Sequence, residues 1–377
     1  MEFGIFIQGY NPGYRREGDP EAEHKVFMNE LAAVKAADEA GFKYVWVTEH
    51  HFLDEYSHLS ANDVITGYLA HSTERIHIGS GIFNPLPSVN HPAKVAERAA
   101  MLDHLSNGRF EFGTGRGAGS HEILGFLPGM TDLTGTREIW EDVIGEFPKM
   151  WLQDTYEGYQ GKFWELPPRK VLPKPYVAPH PPMWYAAGNT TSWEMAGRKG
   201  LGVLGFSVGS LVQVPPLRKA YKDAIANAEP VGAYVNDNIM VTTQLLCLED
   251  GARVRSLASD LGMGYHRSLL LRYLDTFPRP DGVPAWPAVL PDPTPEQVDA
   301  AIASGDTPYG TPDEVARAIE RYEEAGVDQV VFGLLSSTMS RELAFETIET
   351  FGKYVLPQFD RDPVHRSTRQ RELARAQ

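Results

Sequence analysis

The chain of 377 residues has a single cysteine, Cys247. One thiol cannot close an intrachain disulfide, so nothing points to an oxidising compartment. Long apolar runs are also missing: none approaches the roughly 20 residues that cross a bilayer. The opening MEFGIFIQGYNPGYRR lacks a basic start followed by an extended apolar stretch, and no secretory leader is read there. The cytoplasm is the expected location. Positive charge is in deficit, with 35 Lys and Arg against 50 Asp and Glu, a formal net charge of −15. That balance argues against nucleic acid and against an anionic membrane surface as partners, since both are drawn by basic patches.

What is present is ample apolar material, 42% of residues, arranged in a repeating pattern. Short apolar runs at 3–7, 44–47, 75–83, 110–115, 183–188, 202–206, 239–248 and 328–333 read as strands. Amphipathic stretches separate nearly all of them. HKVFMNELAAVKAADEA (24–40) has helical spacing and stops at Gly41. PAKVAERAAMLDHL (92–105) opens on a proline suited to a first helical turn. The Thr-Pro-Asp-Glu at 311–314 is a helix start with a capping hydroxyl and early carboxylates. Eight strand–helix units predict an α/β chain, a closed (β/α)8 TIM barrel, with a doubly wound open sheet as rival. Long insertions follow strands four (118–182) and seven (249–310); the latter carries FPRPDGVPAWPAVLPDPTPE, which reads as an ordered loop or lid shaping the pocket. One barrel domain over 1–360 is expected, and the charged tail 361–377 is expected to be solvated or frayed.

Barrels place chemistry at the C-terminal ends of their strands. Four polar clusters fall there on consecutive strands: Glu49–His51, Gly79–Pro87, Gly113–Gly119 (GTGRGAG) and Gly188–Ser192 (GNTTS). Arg116 is a planar donor suited to phosphate. Asn189, Thr191 and Ser192 stand where a helix begins and free N–H groups attract anions, although such residues are most often plain caps. Together the two clusters could clamp one phosphate. GTGRGAG is not a dinucleotide fingerprint, because the required third glycine falls on Ala118. Neighbouring His50 and His51 would point to opposite faces if the strand ran through them, and neither His-x-His nor HExxH occurs, so no metal is expected. A histidine simply packed at a strand end remains the plain alternative.

FGIF, YVWVTEHHF, IHIGSGIFNPLPSVNHPAKVAERAAMLDHLSNGRFEFGTGRG, LPKPYVAPHPPMWYAAGNTTSWEMAGRKGLG and GTPDEVARAIERYEEAGVDQVVF together resemble the bacterial luciferase-like flavin monooxygenases. The resemblance covers most of the chain, most thinly at 118–165 and 250–305. It implies a (β/α)8 barrel that uses reduced FMN and O2, through a flavin hydroperoxide, to oxygenate a small organic molecule. It implies His50 as the catalytic histidine and a cofactor-binding set of Gly81, Thr114, Gly115, Arg116, Gly188, Asn189, Thr190, Thr191 and Ser192. A cis peptide at Gly81–Ile82, beneath the flavin ring, is part of the same implication. Gly115 and Gly188 depart from bacterial luciferase, which carries cysteine and glutamate there, so light emission and an aldehyde substrate are not implied. With the chain used up by the barrel, reduced flavin is expected from a separate NAD(P)H:flavin reductase. Homo-oligomerisation, as dimer or tetramer, is implied by resemblance alone. A deazaflavin-dependent hydride-transfer enzyme is the alternative on the same fold. A flavin-storing or supporting subunit and a metallohydrolase are the remaining readings.

Overall fold

Eight short parallel strands follow one another in chain order: β1 (Glu2–Ile7), β2 (Tyr44–Val47), β3 (His77–Ser80), β4 (Phe110–Thr114), β5 (Met183–Ala186), β6 (Gly202–Gly205), β7 (Ile239–Thr243) and β8 (Gln329–Phe332). Each pairs with the next and β8 pairs with β1, so the sheet closes into a barrel. This is a computed structural model, and it describes residues 1–54, 56–117, 119–127, 129–130, 134–206, 211–261 and 293–376. Helices over Ala22–Ala40, Asn62–Ser72, Pro92–Leu105, Thr190–Arg198, Val214–Ile225, Pro312–Glu324 and Arg341–Tyr354 connect the strands. The local signals act as read: Gly41 ends its helix with φ of 94°, and Thr311 and Glu314 close a capping box.

The expected seventh strand is shorter than its apolar run. The barrel portion stops at Thr243; Leu246–Cys247 leaves the sheet and pairs in parallel with Tyr309–Gly310. Between them, Gln244 accepts the Tyr309 hydroxyl, which anchors the departure. The flanks of the second insertion pack outside the barrel, with Arg255 bound to Asp299 (2.9 Å) and Glu314 (2.6 Å). Residues 262–292, including most of the proline-rich stretch expected to shape the pocket, lie outside the described residues.

Strand residues alternate between two apolar clusters. The outer one packs against the helices; the inner one contains Phe6, Tyr44, Trp46, Ile82, Trp184, Leu204, Met240 and Val331. Trp46 and Trp184 meet edge to face at 5.1 Å inside the barrel. There is room because the facing strands carry glycine: a Cβ on Gly79 would lie 2.3 Å from the Trp46 ring, and one on Gly202 2.5 Å from the Trp184 ring. Each indole N–H finds a buried acceptor, Gln329 Oε1 at 2.6 Å and Glu111 Oε2 at 2.7 Å.

Below the tryptophans the barrel floor is polar, and the C-terminal residues close it. This overturns the expectation of a solvated tail. Arg366–Ala376 is a helix. Its Arg371 grips Asp103 with two bonds of 3.0 and 2.8 Å, both side chains almost wholly buried. The Ser367 hydroxyl donates to Glu111. His365 stacks on His77 at 3.7 Å; burial and nearby cations push His77 down to about 3, and burial with His77 and those cations takes His365 to about 2, so two neutral rings lie face to face. Lys43 binds Glu2 (3.0 Å) and Asp360 (2.9 Å). Charge density suggested solvent, but these charges have buried counter-ions that only the closed barrel brings to them. Arg371→Ala leaves the Asp103 carboxylate buried and unpaired, and is expected to cost about 3–5 kcal/mol in urea unfolding. A loss below about 1 kcal/mol would contradict the plug.

At the opposite end, the turn after β1 is held by Glu30, which accepts the N–H groups of Gln8 (3.0 Å) and Gly9 (2.9 Å). Burial outweighs these donors and nearby Arg15 and pushes its carboxyl up to about 7. A folded value above the unfolded one of 4.5 means the contribution to stability is full below about 4.5 and is lost as pH rises through about 7. A rise of that size corresponds to about 3 kcal/mol. Glu30→Gln should therefore flatten the fall in melting temperature between about pH 5 and 8; an unchanged slope would exclude this assignment.

Candidate functional site

β2 ends at Val47, so Glu49–Phe52 are not strand. Thr48 N–H still reaches Ile7 O (3.3 Å), while His50 N–H turns to Leu59 O (3.0 Å). The alternation argument against a two-histidine site thus loses its premise, yet the histidines diverge all the same. His50 Nδ1 lies 3.3 Å from Glu122 Oε2, and His51 Nε2 lies 3.1 Å from Glu49 Oε1. Glu49 also accepts Asn84 N–H (3.3 Å) and Asn90 Nδ2 (2.8 Å), which fastens the loop after β3 to the end of β2. Burial lowers the proton affinity of His51, but the bond and charge of Glu49, with the charge of Glu122, raise it overall. No group of three or more His, Cys, Asp or Glu that could hold a metal occurs among the described residues.

Arg116 leaves the end of β4 half-buried. Its Nε donates to the Tyr185 hydroxyl (3.0 Å) and its Nη1 to Thr136 Oγ1 (3.1 Å). Tyr185 packs on Trp140 at 4.4 Å, and Trp140 Nε1 donates to Thr114 Oγ1 (3.3 Å). The Thr114 hydroxyl in turn donates to Trp184 O (3.0 Å) and is fully buried. Thr114 is thus linked to Arg116 through Trp140 and Tyr185, and its side chain is committed to the core.

The GNTTS cluster divides in two. Asn189 Oδ1 accepts Ser192 N–H (3.0 Å), and Ser192 Oγ accepts Asn189 N–H (3.1 Å). These two side chains form a capping box, the plain role such residues have most often. Thr190 and Thr191 are exposed in the first turn, beside Gly188, where helix N–H groups have no helical acceptor.

Between the two ends lies a floor built from four strand ends. The Gly81–Ile82 peptide is cis. A Cβ on Gly81 would lie 3.0 Å from Phe206 Cζ; one on Gly115 would lie 3.1 Å from the Ile82 side chain and 3.3 Å from Ala186 Cβ. Phe206 stacks on Phe6 at 4.8 Å. Of the aromatics close to the strand ends in sequence, Phe206 and the exposed Phe52 stand at the mouth, whereas Phe83 and Trp184 are core. Around the ends of β1, β2 and β3, the buried atoms Gln8 Oε1, Thr48 Oγ1, Asn84 Nδ2 and both amide atoms of Asn11 have no hydrogen-bond partner. Buried polar atoms rarely stay that way once a site is filled.

The sequence reading missed Glu122, Thr136 and Tyr185. Tyr185 could have been found as the strand neighbour of Thr114, with which it pairs in register. Glu122 and Thr136 lie in the thinly covered insertion and had no local signal.

Comparison with known proteins follows the same outline. A family profile described as luciferase-like monooxygenase matches residues 1–329. The oxygenase component of the flavin-dependent trigonelline monooxygenase of Acinetobacter baylyi is 30% identical over 204 residues, 54% of this chain and 53% of that one. The chain thus matches about half the length of that relative. Among solved structures, the monooxygenase RslO1 of Streptomyces bottropensis has a TM-score of 0.75 at 26% identity, covering 95% of this chain and all of that one (100%). The oxygenating constituent of 3,6-diketocamphane monooxygenase from Pseudomonas putida, in complex with FMN, has a TM-score of 0.73 at 19% identity, covering 95% and 98%. The coenzyme F420-dependent tetrahydromethanopterin reductase of Methanopyrus kandleri has a TM-score of 0.61 at 20% identity, covering 95% and 99%. The last two likenesses establish the fold. Taken with the barrel, the profile match establishes that the chain belongs to the luciferase-like monooxygenase family.

Proposed function

We propose that the chain is the oxygenating component of a two-component monooxygenase, which takes reduced FMN and O2 and oxygenates a small organic substrate. The observation that carries this is the glycine-lined floor at the ends of β3 to β6, with His50 before it in strand order and Arg116 within it. A planar ring needs such a floor, and its polar edge needs partners of the kind the buried amides of Asn11 and Asn84 offer. Bound there, reduced FMN would supply the electron pair which, with two protons, lets O2 give one oxygen atom to the substrate and the other to water. Arg116, held by Tyr185 and Thr136, would take the phosphate, with Thr190, Thr191 and the helix N–H groups beside Gly188. Asn189 and Ser192 serve by keeping that helix start in shape. Gly81 and Gly115 keep the floor low. His50 holds or moves a proton at the mouth. That the trigonelline relative is an oxygenase component supports delivery of reduced flavin by a separate NAD(P)H:flavin reductase.

Anaerobic titration should give tight binding of reduced FMN, and a reductase-coupled assay should place one atom of 18O from O2 in the product. His50→Ala should lower product formation about 10²–10⁴-fold while FMN binding is kept. Arg116→Ala should weaken FMN binding about 10–100-fold, the worth of one charge-assisted bond. Wild-type behaviour of both variants would refute the site. The second reading, hydride transfer with a deazaflavin, is favoured only by the fold shared with the Methanopyrus enzyme. Preference for reduced F420 over reduced FMN in the same titration would select it.

A homodimer is part of the proposal. Val64 and Tyr68 on helix Asn62–Ser72, with Met101 and Leu105 on helix Pro92–Leu105, are each 46–68% exposed and form two apolar i,i+4 pairs on neighbouring helices. Tyr68→Glu combined with Met101→Glu should halve the mass seen by light scattering. An unchanged mass would remove this face from the assembly.

A further inference from the structure

We propose that Glu122 is a positioning residue for His50, holding the imidazole as its Nδ1–H tautomer so that Nε2 is the atom that takes and returns a proton; the role of that proton rests on the flavin reading above. The contact joins two segments far apart in the chain, Glu122 Oε2 to His50 Nδ1 at 3.3 Å, and buries both residues. An ionised carboxylate can only accept, so Nδ1 must donate and the ring's lone pair is left on Nε2.

The carrier of Glu122, helix Ser120–Phe126, is fastened to the same loop at several points. Phe126 meets the His51 ring at 4.9 Å and the Phe52 ring at 5.1 Å. A Cβ on Gly125 would strike the Phe52 ring at 2.5 Å, so the helix lies directly against it. The edge-to-face contact of Tyr56 with His50, at 4.8 Å, fixes the plane of the ring. Glu49 and His51, on the loop of His50 itself, bind each other, and Glu49 is further engaged by Asn84 and Asn90. Among the described residues, Glu122, Glu49, His51 and Tyr56 are titratable groups about the ring.

The proton step balances without a co-reactant. A donor at the mouth gives its proton to Nε2, the ring becomes an imidazolium paired with the Glu122 carboxylate, and Nε2 later returns the same proton. Glu122 only orients the ring through Nδ1, as the acid of a catalytic triad does.

If Glu122 merely pinned the helix, its charge would be irrelevant to the ring. The test uses the full, cofactor-free chain labelled with 15N-histidine, with the His50 ring signals assigned by their loss in His50→Gln. NMR should report the Nδ1–H tautomer for neutral His50. In Glu122→Gln the titration midpoint of His50 should fall by about one pH unit or more, and Glu122→Asp should restore most of it. Circular dichroism on each variant separates this from misfolding. An Nε2–H tautomer in the wild type, or a midpoint unmoved in folded Glu122→Gln, would overturn the proposal. Failure to bind reduced FMN would sink the flavin reading and leave this measurement standing.

Discussion

The barrel is organised around two tryptophans that have to fit inside it. Trp46 and Trp184 fill the lumen at mid-height, each with its N–H bonded to a buried acceptor. Their bulk dictates glycine at Gly79 and Gly202, where a side chain would occupy the indole. They also divide the interior. Below them, Glu111, His77, Glu2 and Lys43 form a polar floor closed by the last helix. Above them the inner apolar cluster continues through Phe6, Ile82 and Phe206 toward the mouth, and the strand ends carry the polar groups. Stability and reactivity thereby occupy opposite ends of one lumen, the division expected of this architecture.

At the mouth the working parts rest on second supports from elsewhere in the chain. Arg116 is aimed by hydroxyls from β5 and from the first insertion. Glu49 ties the end of β2 to the loop after β3. His50 leans on a carboxylate from beyond β4. Sites built this way hold their geometry because each group's rotamer is set by neighbours rather than by its own backbone.

The strands and most helices were legible because they are written locally: short apolar runs, Gly41 as a stop, Thr311 and Glu314 as a start. His50 and Arg116 were singled out because strand ends in such a fold have a known use. Asn189 and Ser192 were ambiguous in principle, since the chemistry that caps a helix is also the chemistry that meets a phosphate; the structure assigns their side chains to the cap. Glu122 was illegible, because its meaning depends on a contact across 72 positions. The tail was misread for the same reason: Arg371 finds Asp103 across 268 positions, and no count of charges reveals that.

Arg116 and Glu122 sit on the same connection, within residues 115–126. Arg116, which bonds to Tyr185 and Thr136, and Glu122, which meets His50, are thus carried by one yoke. Adding or removing a residue there would shift both grips together, so the length of this connection is the least negotiable dimension of the mouth.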